Sequence, residues 1–353
     1  MAHAGDLVFT VTTLKDNLTN VRRFVSGNLA CGADHMVIVL DDPAGEGQAE
    51  VRAWLDAQPT VTCIAADDSW WHDARPKALN ARQRLNANAV RTALRDVRAA
   101  AWLFHVDGDE VVQLDRAALA GVPRSAEVVW LPPLEAVAQR RAEAPPTLFK
   151  RLLGEEDLAL LTALGVIDQP KNSSYFNGHV RGKSGIRPGI AAHITLHHVV
   201  DDENDEIAPY DDASLAGLGV LHYESVSGEE FVRKWSAMVT SGKPPALRPG
   251  REGLGAALRA LLTKDLPADV RERHLMTLFE RHRLDDVETL ESLGLLRHAD
   301  PTQGTHSPAS LDAKAAKQWS DALAAVTARP KQDFRVSPPE QPTRSRRFGA
   351  KRR

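Results

Sequence analysis

Between residues 7 and 106, four short apolar runs alternate with helix-forming stretches, and that alternation leaves few architectures open. Residues 7–13 are apolar and β-branched and read as a strand. Asp16 and Asn17 then supply helix-start residues, and Leu18, Val21, Val25 and Leu29 recur at helical spacing up to a stop at Gly32. His35–Leu40 is the second run, residues 48–57 the next helix, residues 60–65 the third run, and residues 78–101 a long helix without Pro or Gly. The fourth run starts at Trp102 and drives into Asp107. This β-α-β-α-β-α-β order predicts an α/β fold with a mostly parallel central sheet and helices on both faces, in which ligands gather beyond the carboxyl ends of the strands. Acidic residues occupy two of those ends, Asp41 with Asp42, and Asp107 with Asp109 and Glu110.

Three carboxylates at the end of a buried strand need a counter-charge. In an extended segment the side chains of i and i+2 share one side, so Asp107 and Asp109 would face a common target, with Gly108 letting the backbone come close to it. Carboxylates are preferred ligands of Mg²⁺ and Mn²⁺, which keep positions open for phosphates. A metal and diphosphate site is therefore expected here, and an acidic turn closing the strand is the plainer alternative. His197 and His198 lie in a β-like stretch, where neighbours point to opposite faces, so one of the two can reach such a site.

Several residue groups follow one another in a recognisable order: Lys15-Asp16-Asn17, Asp41-Asp42, Arg82-Gln83, residues 102–112, Gly182-Lys183-Ser184 with Arg187-Pro188, His197-His198, and His222-Tyr223 followed by Ser227, Phe231 and Lys234. Over about residues 7–235 this order resembles the GT-A glycosyltransferases, in particular their family 2-like and family 92-like branch. Asp16-Asn17 and Gly108 depart from that pattern. The resemblance implies a GT-A (Rossmann-like) nucleotide-diphospho-sugar transferase fold. It also implies a hexosyltransferase-like enzyme moving a sugar from a nucleotide-sugar donor to a hydroxyl of a glycan or lipid-linked acceptor, with inversion the expected outcome. A divalent cation, Mn²⁺ or Mg²⁺, would be held by Asp107, Asp109 and His198. Thr12, Asp41, Asp42, Arg82, Asp107, Lys183 and His222 would contact the nucleotide-sugar, and Asp201 or Asp202 would be the base. A nucleotidyltransferase and a non-catalytic carbohydrate-binding protein on the same sheet are the alternatives. Against the former, residues 14–17 lack a Gly-rich loop.

Other motifs fail. The stretch 178–184 falls one residue short of a phosphate-binding loop, because Asn177 holds the first glycine position, and Pro188 breaks the helix that should follow. The Gly253-Leu254-Gly255 motif ends on Leu258 where a dinucleotide fingerprint needs Gly. A net charge of −3 argues against nucleic acid as the main partner, and no apolar run approaches a membrane span. Cys31 and Cys63 read as reduced core residues, and a cytoplasmic protein is expected. Residues 1–235 would form the catalytic domain, with an acceptor-side insertion at 135–170 containing a helix over 148–164. A helix capped by Ser227 and Glu230 would follow, then a helical extension over 236–299. Residues 300–353 would be largely disordered apart from a helix at 311–326, and their basic end, from Arg344 to Arg353, would give weak peripheral contact with the membrane inner face.

Overall fold

The computed structural model describes residues 6–142, 144–224, 226–241 and 252–335. The first half runs Leu7–Leu14 (β1), Leu18–Ala30 (α1), His35–Leu40 (β2), Gln48–Asp56 (α2), Val61–Ala65 (β3), Asp68–Trp71 (α3), Leu79–Leu94 (α4), Ala100–His105 (β4), Glu110–Gln113 (β5) and Arg116–Gly121 (α5). Then come Val128–Leu131 (β6), Pro133–Ala136 (β7), Leu148–Lys150 (β8), Glu155–Ala163 (α6), Asn172–Tyr175 (α7), Lys183–Ile186 (β9), His193–Ile194 (β10), Val199–Val200 (β11) and Gly219–His222 (β12). Gly228–Ser241 (α8), Glu252–Thr263 (α9), Ala268–His282 (α10), Val287–Ser292 (α11), Leu296–His298 (β13) and Ala313–Thr327 (α12) complete the chain.

The main sheet has the order β3-β2-β1-β4-β9-β6; its first four strands are parallel and β9 runs antiparallel to both neighbours. Every residue of β1 and β2 is buried, as strands covered on both faces require. Alternate side chains feed two cores. Phe9, Val11, Val37, Val39 and Leu103 pack with Leu85, Val90 and Leu94 of α4. Val8, Met36, Ile38, Leu40 and Phe104 pack with Phe24 and Val25 of α1 and with Val51 and Leu55 of α2. Each such side chain contributes about 1.5–3 kcal/mol on burial. At the start of α1, Asn17 Oδ1 accepts a hydrogen bond from Asn20 N at 3.0 Å. Beyond its end Gly32 sits at φ +121°, where a Cβ would lie 2.7 Å from Leu114 Cβ.

A five-stranded sheet, β13-β8-β7-β12-β5, follows the first and was not anticipated. It changes several expectations. The long helix stops at Leu94, because Ala100–His105 is taken up by pairing with β1. Residues 135–170 supply part of the second sheet, since Phe149 and Lys150 pair with Ala136 and Glu135; the expected helix therefore begins at Glu155. Ser227 caps α8 as expected, its Oγ accepting from Glu230 N at 3.1 Å. Residues 300–335 are described, and the helix expected at 311–326 is Ala313–Thr327. Trp319 and Val326 of α12 pack into the core under β1 and β2, and Trp319 Nε1 donates to Thr62 Oγ1 at 2.9 Å. The basic end from Arg344 lies outside the described residues. No described helix is long and apolar enough to cross a membrane.

Candidate functional site

The acidic segment after β4 is a turn. Glu110 N donates to Asp107 O at 3.0 Å, and β5 begins at Glu110. Alternation therefore fails across the segment, and Asp107 and Asp109 do not share one target. Asp107 accepts from Gln83 Nε2 at 2.7 Å and from Lys183 Nζ at 2.6 Å. Lys183, wholly buried on β9, also lies 3.2 Å from Glu110 Oε2. The counter-charge that the three carboxylates demand is thus partly built in.

Strand register extends this pairing across the second sheet. His222 on β12 stands opposite Glu110 on one side and Glu135 on the other, and Glu135 stands opposite Lys150. Directly opposed residues project to the same face, so Lys150, Glu135, His222 and Glu110 form one row of alternating charge. All four are buried. Lys150 Nζ lies 2.8 Å from both Glu135 Oε1 and Asp285 Oδ1, while Glu135 accepts from the backbone N–H groups of Asn177 and Gly178. His179 Nε2 is 3.0 Å from Glu110 Oε1, and its ring stacks on that of His222 at 4.8 Å.

The electrostatics follow from this geometry. Burial opposes the Glu110 charge, yet Lys183, His179 and His222 outweigh it and hold the carboxyl well below its usual range. Burial likewise opposes the Lys183 and Lys150 ammonium groups, but Glu110 with Asp107, and Asp285 with Glu135, keep both above the ordinary lysine value. For His222, burial is outweighed by Asp109, Glu110 and Glu224, which push it up to about 10. His197 and His105, buried beside Lys183, fall to about 3 and about 4, from burial first and the lysine second.

Two sets of donors could hold a metal among the described residues: Glu110, His179 and His222, and Asp109, His222 and Glu224. The inner set is a poor host, because the Lys183 ammonium 3.2 Å from Glu110 already fills the cation position. The outer set fits better. Asp109 Oδ2 and Glu224 Oε2 each lie 3.7 Å from His222 Nε2, with Asp109 roughly half exposed. Two carboxylates and one imidazole suit Mn²⁺. Asp109, Glu110 and Glu224 line a cleft of about 1050 Å³ that runs between α1, the residues just after β12, and α8.

Other residues named from sequence are placed differently. Asp41 and Arg82 are brought together, but to each other, in a buried fork with both N···O distances at 2.6 Å. Asp42 pairs with Lys15 at 2.7 Å on the surface. Thr12 is buried within β1, its Oγ1 without a hydrogen-bond partner. His197 and His198 lie in the turn between β10 and β11, so strand alternation does not apply to them. The His197 ring faces His179 at 4.3 Å, whereas His198 is engaged by Glu206 at 3.1 Å and Arg181 at 2.9 Å. His198 is therefore replaced in the candidate ligand set by His222, and Asp107 by Glu224. Asp201 closes its own loop by accepting from the backbones of Glu203 and Asp205, and Asp202 pairs with His193 at 2.9 Å. Neither joins the cluster. His179 and Glu224 were missed; His179 sits inside the rejected phosphate-loop motif, and its following Gly182-Lys183 was the available signal.

No protein-family model matches the sequence, and no curated protein matches it. Among solved structures, a mannosyltransferase from Pyrobaculum calidifontis in complex with GDP-Man and Mn²⁺ aligns over 94% of this chain and 89% of its own, at 11% identity and a TM-score of 0.30. The glycosyltransferase GlyE of Streptococcus pneumoniae aligns over 91% of this chain and 62% of its own, at 11% identity and a TM-score of 0.26. A mannose-1-phosphate geranyltransferase from Thermus thermophilus aligns over 52% of this chain and 58% of its own, at 12% identity and a TM-score of 0.26. Chemistry is decided by the residues themselves.

Proposed function

We propose that this chain is a glycosyltransferase that moves a sugar from a nucleotide-diphosphate donor to a hydroxyl acceptor, using a divalent cation held by Asp109, His222 and Glu224. The observation that carries this reading is the convergence of those three side chains beyond the carboxyl end of a parallel strand, with Asp109 and Glu224 on the wall of a large cleft and His222 buried beside them. When bound, Mn²⁺ or Mg²⁺ supplies positive charge against the diphosphate leaving group. The protein's own contribution is positioning. His179 stacks on His222 and holds its ring plane, while Lys183 locks Asp107 and Glu110 beneath the turn that presents Asp109. The Asp41–Arg82 fork, extended by Arg82 Nη1 to the carbonyls of Pro76 and Lys77, ties the end of β2 to the approach to α4. Lys15 and Asp42 remain exposed beside it and are the polar groups offered to a nucleoside.

Calorimetric titration with UDP, GDP and CMP, with and without Mn²⁺, tests the reading. One nucleotide should bind only with the metal, and Asp109→Asn should lose that binding. Metal-independent binding would contradict it. The mutual neutralisation of Asp41 with Arg82 and of Asp107 with Lys183 favours a second reading, a carbohydrate-binding protein without turnover. Release of free nucleotide from a nucleotide-sugar in the presence of Mn²⁺ would exclude it.

A further inference from the structure

The cleft carries cations that the proposed metal chemistry does not use. Arg23 projects from α1 and Arg233 from α8, both exposed and both lining the cleft. Among the described residues neither makes a side-chain hydrogen bond or an ion pair, whereas Lys15 on the same wall is matched by Asp42. Two helices far apart in sequence thus deliver guanidinium groups to one cavity that Asp109 and Glu224 also line. Of the other acids on the cleft, Asp16 accepts from Asn17 and Asn20, Asp300 accepts from Thr302 at 2.9 and 2.7 Å, Glu110 is held by Lys183, and Glu230 stands on α8 near Arg233. Tyr223 also lines the cleft as a neutral hydroxyl, its ionisation suppressed by burial.

We infer that the cleft binds a hydroxyl compound carrying an oxyanion, a phosphate or a carboxylate, gripped by Arg23 and Arg233. Guanidinium forks match both oxyanions in two-bond geometry. The cations belong to the ligand that reaches the metal ligands from the α1 and α8 side, since a divalent cation held by Asp109, His222 and Glu224 would supply the positive charge against the diphosphate of a donor. A cleft of about 1050 Å³ is at the upper end of ordinary small-molecule sites, roughly 300–1,000 Å³, and leaves room for a second ligand beside a donor. This ligand is the acceptor only if the transferase reading holds; its binding does not depend on that reading.

The test uses the full chain with Mn²⁺ present. Glycerol 3-phosphate and glucuronate are titrated against their neutral counterparts, glycerol and glucose, into the wild type and into Arg23→Ala, Arg233→Ala and Arg23→Lys, with melting curves confirming that each variant is folded. The anions should bind at least about tenfold more tightly than the neutral compounds, and each alanine substitution should weaken them by about tenfold, with the lysine variant intermediate. Glycerol 3-phosphate against glucuronate separates phosphate from carboxylate as the preferred oxyanion. Equal binding of charged and neutral compounds, no binding of either anion to the wild type, or unchanged anion affinity in both alanine variants would overturn the inference. So would a loss of Mn²⁺-dependent nucleotide binding in the arginine variants that exceeds their loss of anion binding. If no nucleotide binds while the anions still do, the transferase reading fails and the anion site stands.

Discussion

Two groups of charged side chains share His222 and differ in how completely they satisfy one another. On one side, Lys150, Glu135 and Glu110 lie buried in register, with Lys183 of the main sheet against Glu110, each matched by an opposite charge. On the other, Asp109 is about half exposed, Glu224 is one-fifth exposed, and Arg23 and Arg233 make no side-chain ion pair among the described residues. Buried ion pairs repay their desolvation only when complete, so the row fixes the register of β8, β7, β12 and β5 and has nothing left to offer a ligand.

The largest effect should come from breaking the row. Lys150→Met leaves Glu135 and Asp285 without their cation and should cost roughly 3–5 kcal/mol, read by urea unfolding. A cost below about 1 kcal/mol would mean that the row is not what holds these strands.

Two buried histidines sharpen the contrast next. His222 among carboxylates is pushed to about 10, whereas His35, buried at the start of β2 with its Nε2 2.8 Å from Thr62 Oγ1, falls to about 4 because burial outweighs the nearby Asp34. A histidine held neutral in this way contributes stability that is fully present above its unfolded pKa of about 6.5 and is lost as pH falls from there through about 4. His35 should therefore account for up to roughly 3 kcal/mol of acid destabilisation. His35→Gln should flatten the stability–pH curve in that window; an unchanged slope would contradict the burial argument.

A smaller effect should come from the joint between the two regions. A Cβ at Gly178 would sit 2.5 Å from Glu135 Oε2 and 2.6 Å from His222 Nδ1. Gly178→Ala should cost about 1–3 kcal/mol and weaken Mn²⁺ binding by moving His222, measured by thermal melting with and without the metal. The smallest belongs to Asp202, which pairs with His193 on the surface. Asp202→Asn should change stability by less than about 0.5 kcal/mol and leave nucleotide release from a nucleotide-sugar unaltered. A large loss of that activity would restore Asp202 as the base.

The main sheet was legible because β1 to β4 are separated by helices with their own periodicity, and their carboxyl ends were found where the acidic residues lie. The second sheet was not. Its strands of three or four residues are too short for alternation to register, and their partners lie far apart, as Glu110 and His222 do. That is why Asp107 and Asp109 were read as one extended pair. Only the pairing of β5 with β12 brings His222 to Asp109 and reveals the preceding residues as a turn. His198 was chosen on strand alternation and family order, and the turn at residues 195–198 removes the first ground. Asp41 and Arg82 were each read as facing the nucleotide-sugar, yet sequence could not tell that each would satisfy the other.

The central claim is that the outer side chains, not the paired inner ones, hold the metal. Electron paramagnetic resonance titration of Mn²⁺ into the wild type and Glu224→Gln tests it directly. One tightly bound ion per chain in the wild type, weakened in Glu224→Gln by more than the 10–100-fold that even outer-shell substitutions cost, is the expected result. An ion bound equally tightly by both proteins would contradict it.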